Sequence, residues 1–283
     1  MKDYTNKDVI LMRKNNVYYL QFKILQQYHD KLRHAITLRH GGVSSFPTGS
    51  LNFRVNGKDA KENVLKNIEI ICKEAEFDQN NIYKARQNHT DKILILDNVN
   101  KEKYHFEDIS KEEYDGYITK DKNIATLVTT ADCNPIIIYD AKKNIVANVH
   151  SGWKGTIKRI YMKAIDILIN DFSSNIEDLI VCIGPSIRKC CFSSEDEEFK
   201  SKFTYVWQNE NEYIYYEDGG KRFHIDLAYV IKKDLLSIGI KEENIADANI
   251  CTMCHSDDFF SYRFATKEKY DDYGLMATIV ELL

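Results

Sequence analysis

The sequence predicts an α+β fold of mixed β-sheets, and three observations carry that prediction. Segments rich in β-branched and aromatic residues are interspersed with segments whose apolar residues recur at helical spacing. Several strand candidates follow one another across turns too short for a crossover helix, which favours hairpins over a doubly wound parallel sheet. No internal repeat, low-complexity tract or Pro/Gly/Ser linker divides the 283 residues, so positions 1–283 read as one continuous domain.

Val17 to Leu25 is rich in β-branched and aromatic residues and reads as a strand. Ala35 to Leu38 is a second, ending in the turn-rich His40-Gly41-Gly42-Val43-Ser44-Ser45. Asp59 to Ala75 places Val64, Ile68, Ile71 and Cys72 on one helical face. Ile93 to Leu96 is a short strand. Ala125 to Thr129, Ile136 to Tyr139 and Ile145 to Val149 are three consecutive strands. Lys154 to Asn170 reads as one long helix, with Ile157, Ile160, Tyr161, Ala164, Ile165 and Leu168 on one face. Leu179 to Ile183 is a strand of the buried type, and Asp226 to Ile238 an amphipathic helix. Phe259 to Arg263 and Ala277 to Leu282 read as closing strands.

At 43% hydrophobic residues the chain can bury a large core without disulfides. Its net charge is −4, and Lys and Arg are spread evenly, which argues against electrostatic capture of nucleic acid or an anionic membrane. Met1 to Lys14 is charged and lacks the apolar core of a secretory signal. No apolar run approaches the roughly 20 residues of a membrane span. A cytoplasmic protein is therefore expected, with its seven cysteines mostly reduced.

The most informative local feature is the hairpin around residues 140–143. A symmetric four-residue loop pairs Tyr139 with Asn144. Carried outward, that register sets Cys133 directly opposite His150, with Cβ atoms about 4.5–5.5 Å apart. Ser151-Gly152-Trp153-Lys154-Gly155-Thr156 then leads into a helix, whose free N–H groups suit a phosphate or carboxylate. A cysteine beside a histidine has two chemical readings. The imidazole activates the thiol as a nucleophile, or both residues bind zinc with a third ligand and a water. His89, in the polar Gln87-Asn88-His89-Thr90, is the candidate third ligand. A small buried cysteine beside a satisfied core histidine fits the same pattern.

Cys251-Thr252-Met253-Cys254-His255 matches the c-type haem pattern, but haem attachment needs an export signal that is not seen. As half of a zinc site it lacks a second pair of matching spacing, since Cys190 and Cys191 are adjacent. The His-x-Glu and Pro-Cys-x-x-Cys signature of zinc deaminases is also missing.

Several ordered segments together resemble one known family. They are Thr37-Leu38-Arg39-His40-Gly41-Gly42-Val43-Ser44, Gln87-Asn88-His89, Asp115-Gly116, Thr130-Ala131-Asp132-Cys133-Asn134-Pro135, Val149-His150-Ser151-Gly152-Trp153-Lys154-Gly155, Ile183-Gly184-Pro185 with Cys190-Cys191, Cys251-Thr252, and Phe259-Phe260-Ser261-Tyr262-Arg263. The chain resembles the YfiH or laccase-domain family, also called multicopper polyphenol oxidase or purine nucleoside phosphorylase family. The resemblance runs from about Thr37 to the C-terminus. It implies a single-domain α+β sandwich of mixed sheets with helices outside, and His89, Cys133 and His150 as zinc ligands. It also implies phosphorolysis of adenosine, inosine and methylthioadenosine, and deamination of adenosine. The partners would be a purine nucleoside and phosphate. Three motifs depart from the family's usual form: Gln87-Asn88-His89-Thr90 for Gln-Val-His-Gly, Ser151-Gly152-Trp153-Lys154-Gly155 for Ala-Gly-Trp-Arg-Gly, and Gly274-Leu275-Met276-Ala277 for Gly-Arg-Met-Ala. None removes a ligand.

A zinc with one Cys and two His ligands keeps a position open for a water activated near neutral pH, which suits deamination. Phosphorolysis needs an anion site, for which Arg39 and Arg263 are the candidates, because a guanidinium grips phosphate as a fork. Two alternatives stay open: a Cys133–His150 amidase acting on peptidoglycan precursors, and a weak polyphenol oxidase with Cu2+ in the zinc position. A full copper oxidase needs more imidazoles than eight histidines without a His-x-His pair supply.

Overall fold

In the computed structural model, which describes residues 1–108, 110–217 and 219–283, the consecutive apolar strands divide between two six-stranded sheets. In chain order the elements begin with β1 (Val9–Lys14), β2 (Val17–Phe22), α1 (Lys23–Gln26), β3 (Leu32–Thr37) and α2 (Lys61–Ala75). There follow β4 (Ile82–Tyr83), β5 (Ala85–Arg86), β6 (Ile93–Ile95), β7 (Ser110–Glu113), β8 (Gly116–Thr119), β9 (Ala125–Thr130), β10 (Asn134–Asp140) and β11 (Ile145–Ser151). Then come α3 (Trp153–Ile157), α4 (Ile160–Asn170), β12 (Leu179–Ile183), β13 (Ser193–Ser194), α5 (Glu197–Thr204), β14 (Ile214–Tyr216) and β15 (Phe223–Ile225). The last are α6 (Leu227–Ser237), β16 (Ile245–Asp247), α7 (Tyr262–Lys267) and β17 (Met276–Leu282).

The first sheet has the order β1-β2-β3-β17-β9-β4 and the second β16-β12-β10-β11-β8-β6. Side-chain alternation along β10 shows how they stack. Ile137 and Tyr139 pack with Leu20, Ile36 and Val280 of the first sheet. Ile136 and Ile138 point the other way, against Ile160, Ala164 and Leu168 of α4 and Ile231 and Leu235 of α6. On the far side of the first sheet, Tyr19, Ala35 and Ile279 meet Val64, Ile68 and Ile71 of α2. The result is a sandwich of mixed sheets with helices outside, as expected. Burial on both faces is why these strands read as continuous apolar runs. Asn148 of β11 spans the sandwich, its Nδ2 donating to the carbonyls of Thr126 and Thr278, both at 3.0 Å.

Three local expectations are corrected. The 140s hairpin pairs Asp140 with Ile145, not Tyr139 with Asn144. The Asp140 Oδ1 accepts from the N–H of Lys142 and of Lys143, and Asn144 takes φ +53°, so the loop lies one residue further on. His150 therefore faces Pro135, and Cys133 stands just before the strand. Slippage by an even number of positions keeps side chains on their faces, so the pair is separated along the ladder without being turned apart. The helix over 154–170 is broken at Arg159, which adopts φ +54° between α3 and α4. Phe259 to Arg263 is not a strand. Ser261 Oγ accepts from the Phe264 N–H at 3.1 Å and caps α7, and a short apolar run does not by itself tell strand from helix.

The helical layer is held by a buried carboxylate. Asp234 of α6 accepts from Tyr161 Oη (2.6 Å) and Trp207 Nε1 (3.0 Å) and pairs with Arg159 Nε at 3.0 Å. Asp234→Ala strands these donors and is expected to cost about 3 kcal/mol in denaturant unfolding. Tyr161→Phe, which removes one donor and leaves the carboxylate paired, should cost less.

Candidate metal centre and its pocket

Four segments reach the same end of the second sheet: the loop after β5, the residue before β8, the bend before β10, and the end of β11. They carry His89, Asp115, Cys133 and His150. The ligand atoms of His89, Cys133 and His150 all lie within 4.8 Å of one another, and the two imidazole centroids are 4.9 Å apart. Asp132, at φ +84°, bends the chain just before Cys133. The bend is pinned by two hydrogen bonds to the Asp132 carboxylate, from Thr252 Oγ1 (2.6 Å) and from the Arg263 N–H (2.7 Å).

Asp115 organises the cluster and was overlooked as a site residue; its signal was its place in the matched Asp115-Gly116 segment. It is fully buried. Its Oδ1 accepts from His150 Nδ1 at 2.7 Å and from the His89 N–H at 3.1 Å. Its Oδ2 accepts from the Thr90 N–H (2.5 Å), Thr90 Oγ1 (2.7 Å) and the Asn88 N–H (3.3 Å). One carboxylate thus aims the ring of one histidine and fixes the loop that presents the other, whose φ is +54°. With Nδ1 engaged by the carboxylate, Nε2 is the nitrogen His150 has left for a metal, as is usual where a histidine ligates one. Gly152 closes the other side. A Cβ there would stand 2.6 Å from His89 Nδ1 and 2.9 Å from Cys133 Sγ.

Burial would raise the Asp115 carboxyl, but the His150 hydrogen bond and charge and the Thr90 donors hold it at about 2. Burial would lower His150, but the neighbouring Cys133 sulfur and the Asp115 carboxylate carry it to about 9. His89 is lowered by burial and by the neighbouring His150, which favours the neutral form a ligand needs. The sign of the pH dependence follows. A folded pKa above the ordinary value of 6.5 gives stability that is complete below 6.5 and lost as pH rises through about 9. The Tm of the metal-free protein should therefore fall between pH 6.5 and 9, while affinity for any metal ion the cluster takes, which requires that proton to leave, should rise over the same interval. Thermal scans and competition titrations across this range measure both.

The cluster lies in a cavity of about 780 Å3, within the range of small-molecule sites. Aromatic rings of Phe53, Trp153, Phe192, Tyr262 and Tyr273 line it. Arg263 also lines it, stacked 5.7 Å over Phe192 with Nη1 donating to the Ser193 carbonyl at 3.0 Å. Its Nε and Nη2 have no hydrogen-bond partner among the described residues. Arg39 is not brought there. Its guanidinium donates to the Gly49 and Ser256 carbonyls and sits 4.7 Å over Phe260, so it braces two loops and leaves no fork for an anion. Lys84, missed from the sequence because it sits between short strands with no motif, lines the cavity while only 6% exposed. Burial lowers its ammonium to about 7, partly offset by Asp115, and it donates to Gln87 Oε1. A buried lysine near neutrality in a cleft is a recognised mark of a functional site.

The fold and this group of candidate ligands point to one class of protein. The chain belongs to the family described as multi-copper polyphenol oxidoreductase laccase, the YfiH or laccase-domain family, whose model matches residues 33–283. It is 30% identical over 240 residues to the purine nucleoside phosphorylase LACC1 of Mus musculus, covering 82% of this chain and 52% of that one. The chain thus spans about half the length of that relative. Over 219 residues it is 35% identical to the purine nucleoside phosphorylase CA_C1699 of Clostridium acetobutylicum, covering 75% of this chain and 81% of the other. Over 191 residues it is 29% identical to the adenosine deaminase RL5 of an unknown prokaryotic organism, covering 66% and 71%. The crystal structure of the Bacillus licheniformis hypothetical protein YfiH superposes with a TM-score of 0.86 at 25% identity, over 96% of this chain and 99% of that one. No helix among the described residues is long and apolar enough to cross a membrane.

Proposed function

We propose that the chain, as a single catalytic domain, is a zinc-dependent purine nucleoside enzyme. It cleaves adenosine, inosine and methylthioadenosine with phosphate to the free base and the sugar 1-phosphate, and it deaminates adenosine. The observation that carries the proposal is the convergence of His89, Cys133 and His150 in a cavity of about 780 Å3 that also takes in Lys84 and Arg263. The relatives named phosphorylase and deaminase support the substrate class.

His89, Cys133 and His150 would hold the zinc, which would supply Lewis acidity to an oxygen of water or substrate. The family's name speaks of copper, but the two clusters of potential ligands among the described residues hold only two imidazoles. That is too few for an oxygen-reducing centre of several coppers. Asp115 keeps the His150 proton on Nδ1. The free N–H groups of Arg263 and the Lys84 ammonium offer positive charge to a phosphate. The aromatic walls give the purine a stacking surface and exclude water from the sugar. In phosphorolysis a phosphate oxygen bonds C1′ as the bond from C1′ to the base breaks.

A second reading has a specific basis. Cys133, His150 and Asp115 stand in the order nucleophile, base and orienting acid, the arrangement of a cysteine hydrolase. Incubating purified protein with adenosine, with and without phosphate, tests the first reading. Adenine appearing only with phosphate indicates phosphorolysis, and inosine in either case indicates deamination; finding neither product rejects the nucleoside function. Metal-depleted protein that keeps full amidase activity, abolished by alkylating Cys133, would establish the hydrolase instead.

A further inference from the structure

Cys190, Cys191, Cys251 and Cys254 bring their sulfurs within 4.8 Å of one another, apart from the cluster described above. The two pairs are some 60 residues apart in sequence, and the topology unites them. β12 and β16 are parallel neighbours, pairing Val181 with Ile245 and Ile183 with Asp247, so the loops that follow leave at the same end of the sheet. A bridge between Ser186 and Cys251 prolongs the pairing, with the Thr252 N–H donating to the Ser186 carbonyl at 3.1 Å. The Cys191 N–H donates to the Arg188 carbonyl at 2.8 Å, and the His255 N–H to the Cys251 carbonyl at 3.2 Å. These turns direct both pairs of thiols toward one point. The adjacency of Cys190 and Cys191, which argued from sequence against a second half-site, is thus no obstacle.

We propose that Cys190, Cys191, Cys251 and Cys254 form a structural metal site that binds one zinc ion through four thiolates, distinct from the His89–Cys133–His150 centre. The distances fit a single ion. Sulfurs at the corners of a tetrahedron with Zn–S bonds of about 2.3 Å stand about 3.8 Å apart. Cys190 and Cys191 lie 3.5 and 3.4 Å from Cys254 Sγ. All four are free thiols, at separations well beyond the roughly 2.05 Å of a disulfide. Four soft thiolates select zinc over magnesium or calcium. They leave no open position, so the site is structural and not catalytic. Its place explains what it would hold. Phe192, next to Cys191, lines the cavity beneath Arg263, and Thr252, next to Cys251, donates to the Asp132 carboxylate beside Cys133. The ion would staple together the two loops that build this wall.

The test is zinc content per chain, by plasma mass spectrometry, of full-length protein purified under reducing conditions. Wild type, His89→Ala and the double variant Cys190→Ser/Cys254→Ser are compared. The double variant should lose one zinc equivalent relative to wild type, and His89→Ala should keep one. Cobalt(II) added to metal-depleted His89→Ala should give the intense thiolate-to-cobalt absorption of a four-sulfur site. Zinc should slow alkylation of the four cysteines in wild type by at least tenfold. His89→Ala that binds neither zinc nor cobalt through sulfur, or four cysteines alkylated equally fast with and without zinc, would overturn the proposal. Cobalt spectra and alkylation decide the matter even if the double variant fails to fold. Failure of the zinc reading at His89 would look different, because His89→Ala and wild type would then hold the same single ion.

Discussion

On the proposed function, Asp115→Asn is expected to weaken zinc retention about 10–100-fold and to lower nucleoside turnover with it, while the fold persists. The carboxylate accepts from five donors, divided between the His150 ring on Oδ1 and the Thr90 donors and Asn88 N–H on Oδ2, with the His89 N–H also on Oδ1. An amide cannot accept on both sides. If its NH2 group faces His150, Nδ1 must give up its proton and accept, and the proton moves to Nε2, the nitrogen left for the metal. If the NH2 group faces Thr90, it confronts donors it cannot accept, and the loop carrying His89 loosens. Competition titration with a chromogenic chelator measures the zinc term. Near-wild-type zinc affinity and activity would remove Asp115 from the account. Because the paired carboxylate is held at about 2, its stabilising effect is present above the ordinary value of 3.8 and lost as pH falls through about 2. The variant should therefore also show a flatter acid limb of stability.

Gly152→Ala is expected to lower kcat/KM about 100-fold, the scale on which misplacement of about 1 Å acts, with little change in secondary structure. The added methyl would stand 2.6 Å from His89 Nδ1 and 2.9 Å from Cys133 Sγ, closer than such contacts allow. The backbone at Gly152 is extended, with φ −72° and ψ 177°, so alanine is not excluded by its own conformation. The effect would come from displaced ligands, and zinc affinity and activity should fall together. Activity lost with zinc affinity intact would show instead that Gly152 matters for substrate approach.

The long segments were legible because the helices bury one continuous face and the central strands bury both. Residues 61–75 and 160–170 show the helical period, and 134–140 and 145–151 show runs of apolar residues between turn signals. The short strands at 82–86 and the three-stranded sheet of β13, β15 and β14 were not, since two or three residues carry no period. The break at Arg159 was hidden by an apolar stripe that continues on both sides of it. Arg39 and Arg263 looked alike in sequence, yet one is spent on backbone carbonyls and the other lines the cavity with N–H groups to spare.

Cys133 and His150 were already paired by the hairpin reading, although the register that paired them was displaced by two positions. Residue types at the end of a predicted hairpin, with the ordered family motifs, were enough for the sequence to determine the three candidate ligands and the mixed-sheet sandwich. Tertiary structure alone decided the rest. Asp115 beneath two histidines, Lys84 inside the cavity and the meeting of four cysteines across β12 and β16 all depend on segments that local pattern does not connect. Side-chain period and turn chemistry are properties of neighbours along the chain. Hydrogen-bond partners and metal ligands are properties of neighbours in space, and those are set only when the sheets pair and stack.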